Sequence, residues 1–190
     1  MVMSDPAFET YISVDVESAG PNPSQYSLLS IGACSVLGGQ TTFYVELRPV
    51  NDEVVPEAIS VSKLSFEKLK KTGLPASEAM FNFAGWISEV TPEGSQPVFV
   101  AFNAPFDWMF VNDYFHRFLG YNPFGHSALD IKSYYMALHG VSWDETRMPY
   151  VAPRYKGDHQ LTHHALKDAI DQADIFKEML EEARIRKRES

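Results

Sequence analysis

The first regular pattern along the chain is a two-residue alternation. In "YISVDVES", residues 11–18, Ile12, Val14 and Val16 fall on one face of an extended strand, with Tyr11, Ser13, Asp15 and Glu17 on the other. "SLLSIGACSVL" and "TTFYVELRPV" are two further β-rich runs, with Gly38, Gly39 and Gln40 between them as a hairpin connection. The turn-rich "SAGPNPSQ" joins the first run to the second, so the N-terminal part predicts a three-stranded antiparallel meander. The period then changes to that of a helix. "VSKLSFEKLKKTG" predicts one helix that stops at Gly73 and Pro75, and "SEAMFNFAGWISEV" a second, with Ala79, Phe83, Trp86 and Val90 on one side. "PVFVAF" is apolar throughout, as in a strand buried in the middle of a sheet. A helix follows over 104–120, with Asn103 as its cap and Pro105 in its first turn. Residues 128–140 read as another helix, residues 141–160 carry no period and two prolines, and a long helix runs from Thr162 with Ala165, Ala169, Ala173, Phe176 and Leu180 facing inward. Strands first, then helices mixed with a central strand, predict one α/β domain over 1–190, its core about 8–182, built on a mixed sheet.

Composition narrows what such a domain can do. The net charge of −9 argues against extended binding along duplex nucleic acid, but not against a short substrate held locally where divalent cations invert the sign of an acidic site. No apolar run is long enough to span a bilayer, and "MVMSDPAFET" lacks the basic and apolar segments of a signal peptide. The single cysteine, Cys34, sits in an apolar strand and is expected to be a small buried hydrophobe. A cytoplasmic location is the expectation.

Three short motifs carry acids or histidines. Asp15 and Glu17 stand two apart on the polar face of the first strand, where exposed pairs are commonplace. Asp107, in "NAPFD", follows a buried strand near a helix N-terminus, where a carboxylate also simply suits the helix dipole. In "HHALKD", His163 stands at the entry of the last helix and Asp168 inside it. His159, His163 and His164 raise a zinc site, but no cysteine or further histidine pair completes the ligand set. Taken together, the four acids Asp15, Glu17, Asp107 and Asp168 can reach one sheet edge, where they are too costly to keep ionised without cations. Hard oxygen ligands select Mg²⁺ or Mn²⁺, and two such ions serve displacement at phosphorus. The histidine adds a base suited to neutral pH.

In their order and overall spacing, D-x-E, N-x-x-F-D and H-x-A-x-x-D resemble the DEDDh exonucleases of the ribonuclease H-like superfamily, which include ribonuclease T, oligoribonuclease and the proofreading exonuclease of DNA polymerase III. The resemblance runs from about Thr10 to Phe176 and takes in "AISVSKLSFEKLKKTGLPASEA". It implies a ribonuclease H-like fold, with a central mixed five-stranded sheet flanked by helices. It also implies a catalytic set of Asp15, Glu17, Asp107, Asp168 and His163. Asp15 would bridge two Mg²⁺ or Mn²⁺ ions, Glu17 and Asp168 would hold the ion that activates water, Asp107 would hold the other, and His163 would be the general base. Glu17 is further expected to meet the substrate's 3′-hydroxyl. The chain departs from the family where "SAGPN" replaces a usual Thr-Thr-Gly-Leu run and where Phe102 replaces a frequent histidine.

The expected activity is therefore metal-dependent 3′–5′ hydrolysis of single-stranded nucleic acid to nucleoside 5′-monophosphates, with RNA slightly ahead of DNA. Ser18, Asn103 and Phe106 are candidate substrate contacts beside Glu17, and Phe106 is equally suited to core packing. Arg154, with Arg147, Tyr150 and Lys156, is a candidate for guiding phosphates from the aperiodic segment. The basic C-terminal "ARIRKRES" suits the helix dipole. Two other readings stand beside this one: a proofreading-type exonuclease directed at DNA, and a non-catalytic nucleic-acid-binding module of the same fold. A homodimer is compatible with the resemblance.

Overall fold

The computed structural model describes residues 9–155 and 162–189. Alternating strands and amphipathic helices assemble into one five-stranded sheet with helices on both faces. Strands β1 (Glu9–Ser18), β2 (Leu28–Ser35) and β3 (Thr42–Glu46) form the expected meander. Helices α1 (Pro56–Ser62), α2 (Phe66–Thr72) and α3 (Ala76–Val90) lead to β4 (Gln96–Ala101). Then come α4 (Ala104–Leu119), β5 (Ala128–Asp130), α5 (Ile131–His139), a 3₁₀ turn at Asp144–Thr146, α6 (Met148–Tyr155) and α7 (Ala165–Glu189). The sheet order is β3-β2-β1-β4-β5, antiparallel through β1 and parallel from β1 onward.

The side-chain alternation of β1 separates two apolar layers. Ile12, Val14 and Val16 face α3 and α4, packing with Phe83, Phe99, Phe110 and Phe115. On the other face Val100, Ile131, Tyr135, Phe176 and Met179 join β4 to α5 and α7, with Cys34 buried among them as expected. No helix among the described residues is long and apolar enough to cross a membrane.

Four sequence expectations change. The single helix over 61–73 is two, because Lys63 turns left-handed and closes α1, its N–H returning to the Ile59 carbonyl, while Ser65 Oγ accepts the Lys68 N–H and opens α2. Residues 128–130 are strand rather than helix: they pair with β4 as the fifth strand. Three residues are too few to display a period of two. The aperiodic segment contains α6 despite Pro153. Tyr155 anchors that helix, with its hydroxyl 2.6 Å from His139 Nε2 and donating to Glu182 Oε2 at 2.7 Å. Arg186 can only donate to His139 Nδ1, so a neutral imidazole carries its proton on Nε2, consistent with burial lowering its pKa. Residues 156–161, including Lys156 and His159, lie outside the described residues. Finally, α7 begins at Ala165 rather than Thr162, for a reason that belongs to the site.

One glycine fixes how α7 meets the sheet. A β-carbon at Gly32 would stand 2.2 Å from the Ala165 carbonyl carbon and the Leu166 amide nitrogen. Both are backbone atoms, so no side chain can rotate away. Gly32→Ala is therefore expected to destabilise the protein by roughly 3 kcal/mol, in the upper part of the overpacking range. Urea unfolding measures it, and a loss below about 1 kcal/mol would show that α7 does not rest on β2 this closely.

Candidate active site

Gly32 is the register partner of Asp15, so the start of α7 lies against the strand face that carries Asp15 and Glu17. Beyond Asp15 the β1–β2 register shifts between Glu17 and Ser18, a bulge that redirects the end of the strand. Ligand oxygens of Asp15, Glu17 and Asp168 come within 4.8 Å of one another. They line a cavity of about 390 Å³ together with Asp107, His163, Ser18, Asn103 and Phe106. The four acids, His163, Ser18, Asn103 and Phe106 are thus brought together, whereas Arg147 and Tyr150 do not line the cavity and Lys156 lies outside the described residues. Arg154 projects from α6 to pair with Glu182 at 3.5 Å and does not line the cavity.

Each acid is held differently. Asp107 lies in the first turn of α4 and is buried, with Oδ1 accepting the Val16 N–H at 3.0 Å. Asp15 Oδ1 accepts from Gln172 Nε2 at 2.7 Å, while Gln172 Oε1 accepts the Phe102 N–H at 2.8 Å. The Phe102 donor fixes which end of the Gln172 amide faces Asp15. Asp168 Oδ1 accepts from the N–H and hydroxyl of Thr162, and Oδ2 accepts the His163 N–H at 2.9 Å. These bonds hold Thr162 and His163 in a turn and delay the start of α7. They use three of the roughly four acceptor positions of the carboxylate, leaving one on Oδ2 for a cation.

The two adjacent histidines separate. His163 is exposed, has a left-handed backbone with φ 54°, and lines the cavity. His164 stacks on Tyr44 at 5.0 Å between ring centres. The pair therefore does not converge on a zinc ion. Asn103 occupies the N-cap position of α4 but makes no side-chain capping bond, because its backbone is left-handed rather than extended. Asp130 supplies the missing acceptor, with Oδ1 on the Ala104 N–H and Oδ2 on the Ser133 N–H, so one carboxylate caps both α4 and α5. Phe106 lines the cavity while packing on Phe110 at 5.4 Å between ring centres.

Convergence makes the ionised state costly. Burial, and then the neighbouring Asp107, Glu17 and Asp168, hold the Asp15 carboxyl well above the usual carboxylate range, against the Gln172 hydrogen bond. Asp107 is also raised, by burial first. Glu17 is pushed up to about 7 by burial and then by Asp168, with Lys63 acting in the opposite direction. All four acids are hard oxygen donors, and Asp15, Glu17 and Asp107 would regain their charge beside divalent cations, so the donor set fits Mg²⁺ or Mn²⁺. Sequence reasoning passed over Gln172, although it lies one turn beyond Asp168 as a polar residue on the inward stripe of α7.

The family model RNase_T, described as Exonuclease, matches residues 12–176. The 3′-5′ DNA exonuclease Cap18 of Escherichia coli is 46% identical over 169 residues, covering 89% of this chain and 90% of that protein. The nuclease domain of 3′hExo, a DEDDh family member solved bound to rAMP, aligns with a TM-score of 0.76 at 15% identity, covering 94% of each chain. E. coli exonuclease I in complex with a dT13 oligonucleotide aligns with a TM-score of 0.66 at 17% identity over 89% of this chain, which spans 40% of exonuclease I. The two structural likenesses bear out the expected ribonuclease H-like fold with its mixed five-stranded sheet.

Two measurements check the site. A carboxylate with a raised folded pKa keeps its proton while the unfolded chain ionises, so stability falls as pH rises from about 4 and levels off above the folded pKa. With Glu17 near 7, chelated protein should lose on the order of 3 kcal/mol between about pH 4 and 8, and excess Mg²⁺ or Mn²⁺ should restore it. Denaturant unfolding across that range tests this, and stability that is flat or rising with pH in chelator contradicts it. Replacing Gln172 with Leu removes the donor on Asp15, and should weaken divalent-cation binding by roughly tenfold in calorimetric titration.

Proposed function

The chain belongs to the RNase_T exonuclease family and is a 3′–5′ exonuclease, and from that membership we propose that it trims single-stranded DNA from its 3′ end, releasing nucleoside 5′-monophosphates. The observation that carries the catalytic assignment is the convergence of Asp15, Glu17 and Asp168 beside Asp107, with His163 lining the same cavity. DNA is favoured over the RNA expected from sequence because the relative at 46% identity is named for DNA. A specific observation keeps RNA as the second reading: the 3′hExo nuclease domain was solved with rAMP.

Asp15, Glu17, Asp107 and Asp168 are the residues that would hold two Mg²⁺ or Mn²⁺ ions. When bound, such ions lower the pKa of a water and neutralise charge on the phosphoryl oxygens and the leaving oxygen. His163 accepts the proton of the attacking water and, being exposed, can pass it to solvent. The water oxygen bonds to phosphorus as the bond to the 3′-oxygen of the preceding nucleotide breaks. The remaining strand takes up a proton there and keeps a free 3′-hydroxyl. Glu17 sits at the redirected end of β1, where it can accept from the hydroxyl of the terminal nucleotide, and Ser18, Asn103 and Phe106 provide the wall for that nucleotide. Arg154 has no part in this arrangement.

The test uses 5′-labelled single-stranded DNA and RNA of matched sequence, with Mg²⁺ or Mn²⁺. Progressive shortening of DNA from its 3′ end, faster than that of RNA, is expected, with nucleoside 5′-monophosphate as product. Asp15→Asn and His163→Ala should each lower kcat by at least roughly a hundredfold. Faster loss of RNA would reverse the sugar assignment, and full activity in both variants would overturn the catalytic one.

A further inference from the structure

All three non-glycine residues with a left-handed backbone among the described residues gather at the site. Asn103 and His163 line the cavity, and Lys63, with φ 58°, ends α1 beside it. A β-carbon makes this conformation unfavourable, and helices that end in it generally do so on glycine. A lysine kept there suggests that its side chain has a use.

That side chain reaches a distant part of the chain. Lys63 Nζ donates to the Thr162 carbonyl at 3.1 Å. The Thr162 carbonyl and the His163 N–H belong to one planar peptide unit, and the N–H on its other edge donates to Asp168 Oδ2 at 2.9 Å. A plane held at both edges has a fixed orientation, which together with the His163 φ of 54° sets where its Cα–Cβ bond points. The positive charge of Lys63 also acts to lower the Glu17 pKa, against burial and Asp168.

We propose that Lys63 is a positioning residue for the reaction: it grips the carbonyl edge of the Thr162–His163 peptide and so aims the His163 imidazole into the cavity. The inference rests on His163 acting as the base. A misaimed base slows the chemical step without changing how the strand binds.

Three substitutions, read by steady-state kinetics, thermal melting and hydrogen exchange, test it. Lys63→Met should lower kcat by roughly tenfold with KM within about twofold, and should speed amide exchange over 162–164. Lys63→Arg keeps a donor and should recover most of kcat. Lys63→Gly relieves the left-handed strain, so its melting temperature should rise while its kcat falls as in Lys63→Met. A merely structural lysine would not separate stability from turnover in this way. Unchanged exchange over 162–164 in Lys63→Met overturns the proposal. So does a raised KM at constant kcat, which would make Lys63 a substrate contact. Full kcat in His163→Ala would overturn the base assignment instead, and faster exchange in Lys63→Met would then still support the grip on the peptide.

Discussion

The close approach of α7 to β2 at Gly32 decides where every group of the site can stand, because Asp15 is the register partner of Gly32 and α7 starts directly against it. A side chain at that position would hold the helix away from the sheet. Asp168 and Gln172 ride on the first turns of α7, and the turn bearing His163 hangs from Asp168. Raising the helix by the width of a methyl group would part Gln172 from Asp15 and remove Asp168 from the carboxylate cluster. Packing of backbone on backbone thus sets the geometry of the chemistry, and the large apolar layers on both faces of the sheet supply the force that holds it.

That packing creates an electrostatic problem which the protein itself solves only in part. Asp107 and Asp168 lie in the first turns of α4 and α7, where the helix dipole favours a carboxylate by ~0.3–1 kcal/mol each. Val16, Gln172, Thr162 and His163 add hydrogen-bond donors. Desolvation and mutual repulsion still dominate at Asp15, Asp107 and Glu17, whose carboxyls all remain raised. An arrangement that satisfies its own acids would need no cation. This one stops short of that, and the shortfall is what a pair of divalent ions would remove.

The features legible in the sequence are those with a local physical signature. Alternation marked β1 and put Asp15 and Glu17 on one face, the apolar run marked β4, and the inward stripe of α7 was visible in its alanines. The five polar residues of the site stood out because acids and a histidine sat where strands and helices begin or end. What stayed hidden depends on partners distant in sequence. β5 is three residues long and exists only because β4 pairs with it. α6 tolerates Pro153 because Tyr155 is tied to His139 and Glu182 on two other helices. Asn103 has the composition of a cap, yet Asp130 supplies the acceptor for the Ala104 N–H from 26 residues beyond Ala104. Gly32 looked like an ordinary strand glycine, and Lys63 like a residue in the first turn of a helix.

Asp168 shows why binding and positioning cannot vary separately at this site. One oxygen carries two bonds to Thr162, and the other carries the His163 N–H and joins the cluster with Asp15 and Glu17. A substitution there removes an acid from the cluster and also releases the turn that bears the imidazole. Its effect on turnover would therefore be uninterpretable as the loss of either role alone. Lys63 lies on the opposite edge of the same peptide and contributes no carboxylate, although its charge acts on Glu17. The carbonyl edge is thus the part of the arrangement where orientation of the histidine can be altered while all four acids stay in place.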